Sequence, residues 1–239
     1  MTRRIRRCMR SIEKERKGEA VVEITIREWK GLFTHIAERI EETKEELSEL
    51  DRAVGDGDHG VTMSLGWQAI AGVIGTYEGT DCGALCQQMA MTFLNAVGSS
   101  VGPLYATAFL RGGAVLQGKE VLTEDDIAQF WLTAVRGIQE RGKAQLGDKT
   151  MMDAWLPAMD ALEQARAAGK GLSDCLEAAV RAGEEGMRST AALVSQLGRS
   201  SRLGERSAGH IDPGAASACH ILAAFAEQWK RAVTEGAGA

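Results

Sequence analysis

Apolar residues recur at helical intervals along nearly the whole chain. Trp29, Leu32, Phe33, Ile36 and Ile40 follow Thr25 and Glu28, a capping-box pair, and the pattern runs to about Leu50. The same reasoning predicts a second helix over 62–74 and a third over 81–96, with Asp81 near its cap. A fourth opens at Pro103, suited to a first helical turn. Thr123 caps a fifth that carries Ile127, Phe130, Trp131, Leu132 and Val135. A sixth spans about 149–168 with Pro157 inside it, where a kink is expected. A seventh covers 173–197, and an eighth starts near Asp212-Pro213. Only "VVEITI", 21–26, has strand character, and one strand cannot make a sheet. The fold class is therefore all-α: a single domain of about eight helices over 21–235, with Ala- and Gly-rich faces that let helices approach closely.

Composition narrows the class without changing this reading. With 239 residues, 44% hydrophobic and 26% charged, the chain can bury one full core. No apolar run approaches the ~18 residues a membrane span needs, and residues 1–20 lack a signal-peptide core. Five cysteines, an odd number, read as reduced and mostly buried thiols, so a cytoplasmic protein is expected. Residues 1–17 carry eight Lys or Arg against Glu13 and Glu15, within a chain of net charge −5. No aromatic residue lies among those charges and the rest is acidic, so residues 1–20 read as a flexible basic extension, and nucleic acid is not the expected partner.

Candidate chemistry sits in the loops. "AVGDGDHGVT", 53–62, contains Gly55-x-Gly57-x-x-Gly60, the spacing of a dinucleotide-binding loop. That fold needs a strand before the first glycine, and here a charged helix precedes it. A calcium EF-hand needs an acid at loop position twelve, which is Trp67. A divalent-metal site remains. Asp51, Asp56 and Asp58 lie within eight residues, and glycines let the chain turn so that they converge. Such carboxylates suit Mg²⁺, whose charge would make a phosphate welcome. The competing reading is an acidic turn in which Asp51 and Asp58 merely cap helices. Three more loops bear on the choice. "GRSSRLGERSAGHIDPGAASA", 198–218, gathers Arg199, Arg202, Arg206 and His210, and opens a helix whose amides could bind phosphate. "VGSSVGP", 97–103, and "RGKAQLGDKTMMD", 141–153, complete a set that fits one pocket for a metal-bound polyphosphate.

These stretches, "ELDRAVGDGDHGVTMSLG", "VGSSVGPLYATAFLRG", "RGKAQLGDKTMMDAWLP" and "GRSSRLGERSAGHIDPGAAS", resemble the nucleotide-binding L subunit of dihydroxyacetone kinase, in order, from about residue 25 to 230. The resemblance implies an eight-helix antiparallel barrel with the nucleotide, ADP or ATP, at one end. It implies that Asp51, Asp56 and Asp58 ligate two Mg²⁺ ions, with His59, Gly60 and Thr62 following on the phosphate side. Ser100 and Val101 fall in the second phosphate loop, where the family often has further small residues; a valine supplies no hydroxyl there. Gly142 and Met151 match positions near adenine and ribose. Arg199, Asp212, Pro213 and Gly214 match further nucleotide contacts. The implied reaction is phosphoryl transfer to dihydroxyacetone or a related small ketose. A separate K subunit holds the ketose covalently on a histidine, so activity is expected only with that partner. The donor is either exchangeable ATP or tightly held ADP rephosphorylated by a phosphotransferase-system phosphoprotein, the M subunit. The alternative is a nucleotide-sensing module that binds a transcription regulator without catalysing transfer.

Overall fold

Each well-marked helix begins where a side chain satisfies its free amides. In the computed structural model, which describes residues 22–236, Thr25 and Glu28 form the expected capping box at the start of α1 (Ile26–Glu42). The Asp81 carboxylate accepts from the N–H groups of Gly83 at 2.8 Å and Ala84 at 3.0 Å and opens α4 (Cys82–Ala96). Thr123 and Asp126 form a second capping box at α6 (Glu124–Gly142). The other helices are α2 (Lys44–Val54), α3 (His59–Thr76), α5 (Val101–Ala114), α7 (Met152–Ala167), α8 (Leu172–Ser189) and α9 (Pro213–Gly236). Two 3₁₀ segments, Thr190–Ala192 and Ser200–Ser207, lie between α8 and α9.

The helices close into a ring. In order around it, α1 packs on α3, and α3, α4, α5, α6, α7, α8 and α9 each pack on the next, with α9 returning to α1. Short connections make the sequential neighbours from α3 to α8 antiparallel, while the longer segment 190–212 joins α8 to α9. Helix α2 stands outside this ring of eight and packs on α3 and α9.

Scarce aromatic residues fill the interior. All five tryptophans and all five phenylalanines are buried. Trp29 meets Phe33 and Phe130 edge-on at centroid separations of 4.8 and 5.1 Å, and Trp131 stacks on Trp155 at 5.4 Å. Cys82, Cys86 and Cys175 are buried free thiols, and burial pushes Cys82 up to about 12. No helix among the described residues is long and apolar enough to cross a membrane.

Several boundaries differ from the sequence expectations. The first predicted helix breaks at Thr43, whose N–H returns to the Arg39 carbonyl at 3.0 Å, and becomes α1 and α2. Helix α3 starts at His59, three residues before the expected 62, and α5 starts at Val101, so Pro103 is its third residue. Helix α8 stops at Ser189 instead of 197, and α7 runs through Pro157 as one helix. The strand segment does find a partner: β1 (Glu23–Thr25) pairs antiparallel with β2 (Val121–Thr123), with Ile24 opposite Leu122 and both buried. This short ribbon joins the caps of α1 and α6. The expected basic extension, 1–20, lies outside the described residues.

Candidate functional site: a cleft at one end of the ring

Asp51 sits in the last turn of α2, and Gly55-Asp56-Gly57-Asp58 links it to α3. Gly57 has φ +77°, and a side chain there would run into Arg52. This turn reverses the chain and brings one carboxylate oxygen from each of Asp51, Asp56 and Asp58 within 4.8 Å of one another. Asp58 holds the N-cap position of α3 but makes no side-chain capping bond. Only Asp51 serves a helix end, accepting the His59 N–H at 3.2 Å. The simple capping account therefore covers Asp51 and leaves Asp56 and Asp58 to other work.

Their partner in this structure is Arg199, 141 residues further on. Its guanidinium donates to the Asp56 carboxylate and, at 3.2 Å, to Asp58. An arginine crossing from the 198–208 segment marks the centre of a negative field. Clustered carboxylates are also the hard oxygen donors that Mg²⁺ takes, so the set fits a divalent cation by chemistry and separation.

The aspartates line a cleft of about 520 Å³. Three helix N-termini line it: His59 and Thr62 of α3, Val101 and Pro103 of α5, and Pro213 and Gly214 of α9. Each such terminus presents unpaired N–H groups and a partial positive charge, which favours an anion. The lining also includes apolar side chains, among them Leu104, Ile138, Met151, Met152 and Leu197. One cleft thus offers a cation site, anion-binding helix ends and apolar surface.

The structure brings Asp51, Asp56, Asp58, His59, Thr62, Ser100, Val101, Gly142, Met151, Arg199, Asp212, Pro213 and Gly214 to this cleft. Gly60 does not line it. A Cβ at Gly60 would lie 1.9 Å from the Lys44 carbonyl oxygen, so this glycine allows α3 to cross α2 closely. His59 lines the cleft, but its ring turns inward, with Nε2 2.9 Å from Ser217 Oγ on α9. Burial holds this imidazole below its ordinary value, against the pull of Asp51 and Asp58. Cleft residues that the sequence did not single out include Ser99, Arg141, Lys149 and Thr150. Ser99 Oγ is enclosed and has no hydrogen-bond partner among the described residues. Its signal was available in "VGSS", where either serine could face the ligand; Lys149 gave none, since a lysine in a Gly- and Asp-rich loop reads as solvated.

A closed helical ring with an acidic cleft at one end defines the class, and the comparisons with known proteins identify it. Residues 53–227 match the family model described as DAK2 domain, and the chain belongs to that family. It is 37% identical over 178 residues to the PEP-dependent dihydroxyacetone kinase, ADP-binding subunit DhaL of Escherichia coli (strain K12), covering 74% of this chain and 85% of that protein. It is 36% identical over 200 residues to the PTS-dependent dihydroxyacetone kinase, ADP-binding subunit DhaL of Lactococcus lactis, covering 84% of this chain and 94% of that one. Among solved structures, it is similar to the dihydroxyacetone kinase from C. freundii in complex with AMP-PNP and Mg²⁺, with a TM-score of 0.64 and 25% identity. That match covers 83% of this chain and 33% of the longer protein.

Proposed function

We propose that this chain is the nucleotide-binding subunit of a split dihydroxyacetone kinase, and that a separate subunit holds the ketose. One observation carries the reading: three carboxylates converge in the lining of a nucleotide-sized cleft that three helix N-termini also line. Membership of the DAK2 family and similarity to proteins named as ADP-binding subunits support it.

In this reading Asp51, Asp56 and Asp58 hold two Mg²⁺ ions. Bound there, the ions neutralise phosphate charge, which phosphoryl transfer needs more than covalent help. The chain's own part is to bind and to orient. The N-terminal amides of α3 and α5, with Thr62 and Ser100, fix the phosphates. Val101 takes part through its backbone alone. Gly142 and Met151 border the base and ribose, and the Asp212–Gly214 turn closes that side. Arg199, which reaches the aspartates here, swings to the phosphates as a mobile counter-charge.

The acceptor is assigned to a second protein, and three of the four histidines of this chain are otherwise engaged. The His59 ring meets Ser217, His35 lies 3.5 Å from Glu227, and His220 lies 3.5 Å from Glu46. We further infer that the nucleotide is retained ADP, recharged in place by a phosphoprotein. The PEP- and PTS-dependent names of the similar subunits support this donor over free ATP.

A coupled assay tests the subunit reading with this chain alone, the matching ketose-binding subunit alone, and both together, each with ATP or with the phosphoprotein. Turnover is expected only with both proteins. Robust turnover by this chain alone overturns the reading. Native mass spectrometry tests the donor: retained ADP is expected, and an empty protein that turns over with ATP points to exchange.

A further inference from the structure

Lys149 is a lysine with 1% of its surface exposed, set in the loop between α6 and α7 at a left-handed φ of +60°. The phosphate clamp proposed above does not use it. Its ammonium makes no ion pair among the described residues. It donates instead to two backbone carbonyls, those of Thr190 and His210, each at 2.5 Å. Burying an ammonium on neutral carbonyls is expensive. A methionine would fill a similar volume but could bond to neither carbonyl, so what the ammonium adds to packing is these two bonds.

Three chain segments around the ammonium contribute to the cleft lining: 143–151 through Ala144, Thr150 and Met151, 190–197 through Leu197, and 210–214 through Asp212, Pro213 and Gly214. The ammonium touches all three, being carried by the first and bonded to the other two. Around it the segments are cross-linked at close range. The Asp153 carboxylate accepts from Gly147 N–H at 2.5 Å and Thr150 N–H at 2.8 Å, folding the loop that presents Lys149. Thr190 Oγ1 accepts the Asp212 N–H at 2.9 Å, and the Asp148 carbonyl accepts the Gln196 N–H at 3.0 Å. The buried carboxylates of Asp153 and Asp212 lie near enough for their charge to act on Lys149. At the surface of this knot, a Cβ on Gly214 would lie 3.4 Å from the Met151 amide nitrogen. The spacing between these two cleft residues is therefore set by what holds the segments together.

We propose that Lys149 is a positioning residue for the nucleotide: its ammonium clamps the three wall segments so that Met151 and the Asp212–Gly214 turn stand at binding distance. This rests on reading the cleft as a nucleotide site. Its removal should loosen the wall and spare the aromatic interior, to which its ammonium makes no hydrogen bond.

The test measures Mg²⁺–ADP binding to the full chain by calorimetry, with melting followed by circular dichroism. Lys149→Met keeps the stem and removes the donors. The wild-type chain binds, and Lys149→Met binds at least about tenfold more weakly, as expected for loss of hydrogen bonds from a charged donor. Amide exchange at Gln196 and Asp212 speeds up in this variant without any ligand. In Lys149→Ala, added ethylammonium restores affinity, and tetramethylammonium at equal ionic strength, which has no N–H, does not. Unchanged affinity in Lys149→Met, equal response to both cations or to neither, or unfolding of both variants overturns the proposal. Failure of the wild-type chain to bind Mg²⁺–ADP overturns the nucleotide reading and this proposal with it; wild-type binding with Lys149→Met unchanged overturns this proposal alone.

Discussion

The interior of the ring and the cleft at its end are built on opposite terms. Inside, side chains do the work: Trp29, Phe33, Trp67 and Phe130 are held by neighbours on several helices, with almost no surface left to water. In the cleft, backbone does much of it. Helix ends, a left-handed glycine and a buried lysine set the shape, and like charges are kept close together. The first region is held by burial of apolar surface. On the nucleotide reading the second holds an arrangement that a bound ligand would offset, so changes to the two should separate stability from binding.

The largest stability effect is expected from Phe33→Ala, at the centre of the aromatic cluster. Deleting a buried phenylalanine typically costs about 3–5 kcal/mol, through lost burial and the cavity left behind. Chemical denaturation should report that loss. Mg²⁺–ADP affinity measured well below the melting temperature should stay near the wild-type value. A comparable fall in affinity would mean that interior and cleft are one cooperative unit.

Gly60→Ala should come next, because it sits on the border between the regions. The added methyl meets Ser48 Oγ and the Lys44 carbonyl, and the carbonyl, being backbone of α2, cannot yield without parting α2 from α3. Overpacking of this kind costs about 1–3 kcal/mol. Since α2 carries Asp51 and α3 follows Asp58, affinity should fall together with stability. Calorimetry and denaturation on one preparation check the coupling, and a loss of stability alone would place Gly60 with the interior.

This border also marks where the sequence stops being legible. The ring was readable because periodic apolar residues and capping side chains act locally; Thr25, Asp81 and Thr123 all cap as their types suggest. The break at Thr43 was not, since "EETKEEL" contains neither glycine nor proline and every residue in it tolerates a helix. The β1–β2 pair was missed because three residues from distant segments give no alternation to see. In the site, the aspartate turn and the loops around it were recognisable as motifs. The inward turn of the His59 ring and the burial of Lys149 were not, because both depend on partners some 40 to 160 residues away in sequence.

Asp212 offers a pH-dependent effect. Burial pushes its carboxyl from an ordinary 3.8 up to about 7. The folded protein therefore holds this proton more tightly than the unfolded chain. The contribution to stability is greatest below about pH 4, declines as pH rises toward 7, and is level above. The slope from one such group is at most about 1.4 kcal/mol per pH unit. Asp212→Asn keeps an oxygen for the Ala215 N–H and removes the titration. The wild-type minus variant difference in unfolding free energy, followed from pH 4.5 to 7.5 in chelator, should fall with pH. A flat difference would mean that Lys149 keeps Asp212 ionised throughout.

The smallest effect on stability, and the sharpest contrast with the interior, is expected from Asp56→Asn. In chelator two consequences oppose each other. Loss of the Arg199 contact removes an exposed ion pair, worth about 0–1 kcal/mol at most. Loss of one charge also relieves repulsion among three carboxylates whose oxygens lie within 4.8 Å. The net change in unfolding free energy should lie within about 0.5 kcal/mol of zero, as for surface substitutions generally. Binding should respond quite differently. Replacing a charged oxygen donor by a neutral amide should lower Mg²⁺–ADP affinity by more than about tenfold, or about 1.4 kcal/mol. Magnesium with nucleotide should then raise the melting temperature of the wild-type chain and leave that of the variant nearly unchanged. If the variant keeps wild-type affinity, or the wild-type chain binds nucleotide equally well in EDTA, the aspartates are not the cation site. The cleft would then have to bind its anion through helix ends and Arg199 alone.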